Sequence, residues 1–138
     1  MADLDCLIFS RDRPMQLDAC LRSLERNGPP IRKLFVLTKA TRDGFRDAYL
    51  KLDRETDAYL YPESSFCADA ISLLESFGEH VLMLCDDAIT YRPVEGDPTE
   101  AMAPDVLCMS LRMGLNTVYC HPRDWHHGLP AVTFNRPP

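Results

Sequence analysis

The sequence predicts an α/β fold: an open, mostly parallel sheet with helices on both faces. Three observations carry this. Short apolar runs bounded by turn residues alternate with stretches whose apolar residues recur three and four positions apart. The order is strand, helix, strand, helix, strand, helix, strand, the alternation that builds parallel sheets covered by helices. The chain has 138 residues and is 46% hydrophobic, enough for one layered core.

The elements are taken in chain order. Asp5 to Ser10 (DCLIFS) reads as a buried strand. Arg11-Asp12-Arg13-Pro14 is a polar turn, with Pro14 suited to the first turn of a helix. Leu17, Cys20, Leu21 and Leu24 share one helix face, and Asn27-Gly28-Pro29-Pro30 stops that helix. Lys33 to Thr38 is the second strand. Thr41 can cap a helix whose inner face is Phe45, Ala48, Tyr49 and Leu52. Asp57 to Tyr61 is a short third strand. Ser64 or Ser65 can cap a third helix with Cys67, Ala70, Ile71 and Leu74 as its stripe, closed by Gly78. Val81 to Cys85 is a strong buried strand that runs directly into Asp86-Asp87. Beyond it, residues 92–104 read as loop, 106–113 as a short helix closed by Gly114, and 117–120 as a strand. Residues 1–122 form one domain in this reading, and 123–138 a Pro-rich tail.

Composition narrows the partners. The net charge is -6, and nucleic-acid binding needs clustered Lys and Arg, so nucleic acid is not expected as a partner. An acidic protein that takes an anionic ligand must use local devices: helix N-termini, a few arginines or a bound cation. No apolar run approaches about 20 residues, so no transmembrane segment is expected. Met1 to Asp5 has no basic segment leading into a long apolar stretch, so no secretory signal is expected. Cys6, Cys20, Cys67, Cys85, Cys108 and Cys120 form no C-x-x-C pair and read as small buried hydrophobes in a reducing, cytoplasmic setting. Zinc has little support from their spacing.

In an open parallel sheet, ligands bind beyond the carboxyl ends of the strands. Two polar clusters fall there: Ser10-Arg11-Asp12-Arg13 after the first strand and Asp86-Asp87 after the fourth. Adjacent carboxylates repel unless a positive charge lies beside them, and a divalent cation with oxygen ligands supplies one. Arg11 and Arg13 precede a helix N-terminus, a favourable place for an anion. Each cluster alone is more often an ordinary polar turn. Together they suit a nucleoside diphosphate bridged by a cation.

Several stretches resemble GT-A-type glycosyltransferases of the bacterial family 2 kind. Phe9-Ser10-Arg11-Asp12-Arg13-Pro14 with Leu17 to Leu24 is similar to their opening strand, turn and helix. Val81 to Asp87 is similar to the strand that ends in their acidic metal motif. Glu63 to Pro93 and Val106 to Gly114, with Tyr119 to Pro122 after them, continue the likeness, which spans most of residues 4–122. The resemblance implies a Rossmann-like nucleotide-binding half and a nucleotide-diphosphate sugar donor. It implies a divalent cation, manganese or magnesium, and transfer of the sugar to an unknown acceptor. By position, Phe9, Ser10, Arg11 and Arg13 would line the donor pocket. Asp86 would contact the ribose or the metal shell, and Asp87 would bind the metal directly. The chain departs from the family in two places. Thr38-Lys39-Ala40 stands where many members carry an acidic residue that reads the base. Cys67 to Ala70 stands where many carry an arginine near the diphosphate.

In the family the acceptor pocket and catalytic base come after the metal motif; about 50 loop-rich residues stand there in this chain, with Glu100, Asp105 and Asp124 as base candidates. His121, His126 and His127 are more often surface groups than ligands in such a tail. Trp125 more often covers a core edge than stacks on a sugar. Two rivals to the transferase are a non-catalytic or truncated GT-A-like binding module and, last, a receiver-like signalling domain. An open sheet edge would also let a second copy complete the pocket as a homo-oligomer.

Overall fold

The structure is a computed structural model that describes residues 4–94, 98–101, 106–112 and 117–122, with side chains described up to Thr99. Two compact units divide at residue 97. In the first, the elements are β1 (Leu4–Arg11), α1 (Pro14–Asn27), β2 (Lys33–Lys39), α2 (Asp43–Glu55), β3 (Tyr59–Pro62), α3 (Phe66–Glu75) and β4 (His80–Cys85). The four strands form one sheet in the order β3-β2-β1-β4, and every pairing is parallel. The fold is therefore α/β, with an open sheet of the Rossmann-like kind.

Register fixes the faces. Cys6 pairs with Leu34 and with Leu82, and Ile8 with Val36 and with Leu84, so even-numbered residues of neighbouring strands share one face. That face packs under α1 and α2. Its core comprises Cys6, Ile8 and Val36 with Leu17, Cys20, Leu21 and Leu24 of α1 and Tyr49 and Leu52 of α2. The expected α1 stripe is the buried one, residue for residue.

α3 returns the chain from β3 across β2 and β1 to β4, on the odd-numbered face. Ring contacts mark its seat: Phe66 lies 5.3 Å from Phe9, and Phe77 stacks on Phe35 at 5.2 Å. This cover is thin. α3 has no buried residue, and Ile71 and Met83 are more than half exposed. The expected stripe was Cys67, Ala70, Ile71 and Leu74. Of these Ala70 and Leu74 are half-buried, as is Leu73, while Cys67 and Ile71 face outward; Phe66 and Phe77 make the ring contacts with the sheet. Cys85 is likewise exposed, on the edge strand β4, whereas Cys6 and Cys20 are buried free thiols.

A half-buried ion pair supports the thin face at its far end. Asp5 is fully buried and accepts two bonds from Arg32, at 3.0 and 2.7 Å, and one from the Gly78 backbone N–H at 2.7 Å. It thereby joins β1 to the entrance of β2 and to the exit of α3. The Arg32 guanidinium holds the Asp5 carboxyl below the usual carboxylate range, against the opposing effect of burial.

The second unit contains a short 3-10 turn, Pro98–Ala101, and two strands, β5 (Val106–Arg112) and β6 (Thr117–Pro122). They pair antiparallel, with Met109 opposite Cys120 and Arg112 opposite Thr117, and a bulge between Val106 and Cys108. Residues 106–112 are thus a strand and not the expected helix. The alternation of Leu107, Met109 and Leu111 with Cys108, Ser110 and Arg112 carries the strand period, which an apolar octet obscures. The expected tail at 123–138, with Asp124, Trp125, His126 and His127, lies outside the described residues, as does Asp105. So do the side chains of Glu100 and His121. No helix among the described residues is long and apolar enough to cross a membrane.

Candidate functional site

A parallel sheet gathers the carboxyl ends of its strands on one edge. Here β1 feeds α1 on one face, while β4 arrives from α3 on the other, so the connections diverge between β1 and β4. Such a switch point is where open α/β sheets leave a crevice for ligands. A cleft of about 520 Å³ opens there, within the range of small-molecule sites. Phe9, Ser10, Arg11, Arg13, Asp86 and Asp87 all line it. The six residues singled out in the sequence therefore converge on one cavity.

The acid pair sits in a tight turn. The Ala88 N–H donates to Cys85 O at 3.1 Å, and the Asp86 N–H reaches across to Phe9 O at 3.1 Å. The backbone just beyond the turn is tied to α1: Asn27 donates to Thr90 O at 2.6 Å, and the Thr90 N–H donates to Ser23 Oγ at 3.0 Å. Asp87 is consequently held on a short, doubly anchored segment.

Asp86 and Asp87 differ sharply. Asp86 is 4% exposed, whereas the side chain of Asp87 is 66% exposed. Asp86 Oδ2 accepts from Ser10 Oγ at 2.9 Å, and its Oδ1 faces Arg13 Nη1 at 3.5 Å. Arg13 also stands 3.8 Å from Asp87. One guanidinium therefore balances both carboxylates.

Beneath them lies a hydrogen-bond chain with one possible direction. Ser10 has a single hydroxyl proton and spends it on Asp86. The 2.6 Å contact between Ser10 and Tyr49 must then use the Tyr49 proton. Tyr49 in turn accepts from the Arg13 backbone N–H at 3.0 Å. The chain runs from Arg13 N–H to Tyr49, to Ser10, to Asp86, so α2 helps to aim a carboxylate in the turn after β4. Burial raises the Tyr49 phenol pKa, keeping it a donor. Sequence reading placed Tyr49 in the core and missed this role; a hydroxyl on an otherwise apolar stripe was the available signal.

The turn between β1 and α1 is held by Asp12, the one non-glycine with positive φ, at 55°, among the described residues. Its carboxylate accepts from the Thr41 N–H and Oγ1, both at 2.7 Å, and its own N–H donates to Lys39 O at 2.9 Å. Bonds from Thr41 hold the Asp12 carboxyl below its ordinary range. Thr41 is thus engaged by Asp12 and does not cap α2, whose N-cap is Arg42. α3 is handled similarly. Ser65 takes the N-cap position without a side-chain bond, and Asp69 instead accepts from the Ser64 and Ser65 N–H groups at 2.7 and 2.8 Å.

Among the described residues Leu37, Glu63, Phe66 and Cys85 also line the cleft. Glu63 directly follows β3, and the reasoning that flagged acids after strands applies to it equally.

Among the described residues no group of three or more His, Cys, Asp or Glu is placed to hold a metal ion. Asp87 has open lone pairs, with Asp86 behind it. A magnesium-like ion that keeps water and takes phosphate oxygens needs no more protein ligands than these. No family model, curated protein or solved structure matches the chain.

Proposed function

We propose that the cleft binds a nucleotide-diphosphate sugar through a divalent cation at Asp87 and Asp86, and that the chain acts as a metal-dependent glycosyltransferase of the GT-A kind. One observation carries the reading: Phe9, Ser10, Arg11, Arg13, Asp86 and Asp87 surround a single cavity at the switch point of a β3-β2-β1-β4 sheet. That strand order matches nucleotide-binding sheets and differs from the receiver-like order, which puts the third strand on the other side of the first. Asp5, the early acid a receiver would use, lies at the opposite end of β1 and is consumed by Arg32.

Each residue has a task. Asp87, exposed beside the cavity, supplies the open carboxylate. Asp86 is aimed from below by Ser10 and Tyr49. Arg13 balances the two acids in the free cleft and lies where a diphosphate would draw it onto phosphate oxygens. A bound cation would contribute charge neutralisation of the departing diphosphate. Free, buried Cys6 and Cys20 suit the cytoplasmic setting expected from the sequence.

Donor binding rests on the cleft, and sugar transfer rests on the resemblance. The charged side chains of the cleft are Arg11, Arg13, Glu63, Asp86 and Asp87, and each serves donor binding or its far end. Among the described residues none is left over as a base, so a module that binds the donor without transferring it is the second reading. Titration calorimetry with UDP and GDP, with and without manganese, tests the first. Metal-dependent binding that disappears in Asp87→Ala is expected. Metal-independent binding, or none, would overturn it. Release of free nucleotide from a sugar donor with an acceptor panel separates transferase from module.

A further inference from the structure

We propose that Glu63 reads the base of the bound nucleotide and that the base it selects is guanine. This rests on the donor-binding reading above and adds the identity of the donor's nucleoside.

The strand order supplies the geometry. Asp86 and Asp87 leave β4, Phe9 and Arg11 lie on β1, Leu37 on β2, and Glu63 comes directly after β3. The cleft therefore crosses the whole sheet, three strand spacings or about 14 Å. A nucleoside diphosphate is extended on that scale. With its phosphates at the acid pair and Arg13, its base lies over Leu37 towards Glu63. The walls change character along the same path. The β4 end is charged, while the middle is apolar, formed by Leu37 and the Phe9–Phe66 ring pair. Phe66 is 49% exposed, leaving ring surface for a base to stack on.

Glu63 is a fixed acceptor at the end of that path. Its side chain is only 18% exposed, and its backbone N–H donates to Thr38 O at 2.7 Å. Lys39 Nζ stands 3.6 Å from its carboxylate, too far for a short hydrogen bond, so oxygen lone pairs remain for a ligand.

A carboxylate presents two acceptors and no donor. Guanine matches this with two adjacent donors, the ring N1–H and the exocyclic amino group, and forms a paired, charge-assisted contact. Uracil offers one N–H between two carbonyls whose lone pairs oppose the carboxylate. Adenine and cytosine each offer one amino group beside a ring nitrogen acceptor. Hypoxanthine retains the N1–H but lacks the amino group, and so isolates the second bond.

Calorimetry on the full chain with manganese and GDP, IDP, UDP or ADP tests this. GDP should bind at least about tenfold tighter than UDP or ADP, with IDP between, in line with the discrimination a paired contact provides. Glu63→Gln should reduce the GDP preference to about threefold or less, because one acceptor becomes a donor. Lys39→Met breaks the same ion pair but keeps the carboxylate, and should leave the preference in place. If GDP and UDP bind equally well, or Glu63→Gln leaves their ratio unchanged, guanine selection is wrong and donor binding stands. An equal loss of preference in Lys39→Met would make Glu63 a structural ion-pair partner only. Failure of every nucleotide to bind would remove the donor-binding reading itself.

Discussion

The two faces of the sheet are built to different standards. The even face lies under two helices, and Cys6, Ile8, Leu17, Cys20 and Val36 there are wholly out of contact with solvent. The odd face lies under one helix with no buried residue, beside an edge strand whose Met83 and Cys85 are exposed. Close packing under two helices fills the first face, while the second buries Leu7 and Leu37 and adds aromatic contacts and the Asp5–Arg32 pair. The difference bears on the site. Tyr49 and Ser10, which aim Asp86, belong to the close-packed side. The cavity opens at the carboxyl ends of the strands, with Phe9, Leu37 and the half-exposed Phe66 of the other side in its wall. A firm floor and an open roof thus come from one sheet.

Cavity creation separates the two faces most directly. Leu17→Ala on the packed face should cost about 3 kcal/mol in urea unfolding, the range for a buried leucine whose site cannot collapse. If that loss falls below about 1 kcal/mol, the packed face is not the main source of stability. Asp5→Asn tests the thin face. It should cost about 2 kcal/mol, less than a fully buried pair, because Arg32 is 42% exposed. The Asp5 pKa is lowered on folding, so its contribution is present above the unfolded carboxylate value of about 4 and is lost as pH falls through the folded value. Wild-type stability should therefore decline more steeply in acid than that of Asp5→Asn, and parallel acid limbs would count against the clamp.

Tyr49→Phe should cost about 1 kcal/mol for one hydroxyl in a satisfied chain. It should also weaken manganese-dependent nucleotide binding, whereas a purely structural hydroxyl would leave affinity unchanged. The smallest effect is expected at Ile71, on the outer side of α3, where replacement by serine should change stability by less than about 0.5 kcal/mol. Thiol labelling provides a separate check. Burial pushes Cys6 up to about 12 and Cys20 to about 11. Both should resist iodoacetamide at pH 8 while Cys67 and Cys85 react, as peptide mapping would reveal. Early alkylation of Cys6 would mean that the packed face opens readily.

The same contrast explains what could be read from the sequence. α1 has one apolar face and one polar face, so Leu17, Cys20, Leu21 and Leu24 were unambiguous. α3 carries apolar residues on both sides, because neither is fully buried, and periodicity then picks Ile71 as readily as Leu73. The short third strand was legible, and β5 was not, because Val106 to Met113 is apolar at either period until a partner strand selects one. In the site, residues adjacent to strand ends were found by the rule that parallel sheets bind ligands there. Tyr49 and Glu63 were not. The first reaches the site from a helix interior, and the second enters it only through the order in which the strands are laid side by side.

Position 12 faces two demands that few amino acids meet together. Its backbone has a left-handed dihedral that glycine adopts freely, and its side chain must bridge to the start of the next helix connection at Thr41. Glycine satisfies the first demand and fails the second, and glutamate would do the reverse. Asparagine tolerates the dihedral and keeps one acceptor oxygen. In a saturation library this position should therefore accept a set of two, Asp and Asn, although it lies at the surface where most positions tolerate nearly anything.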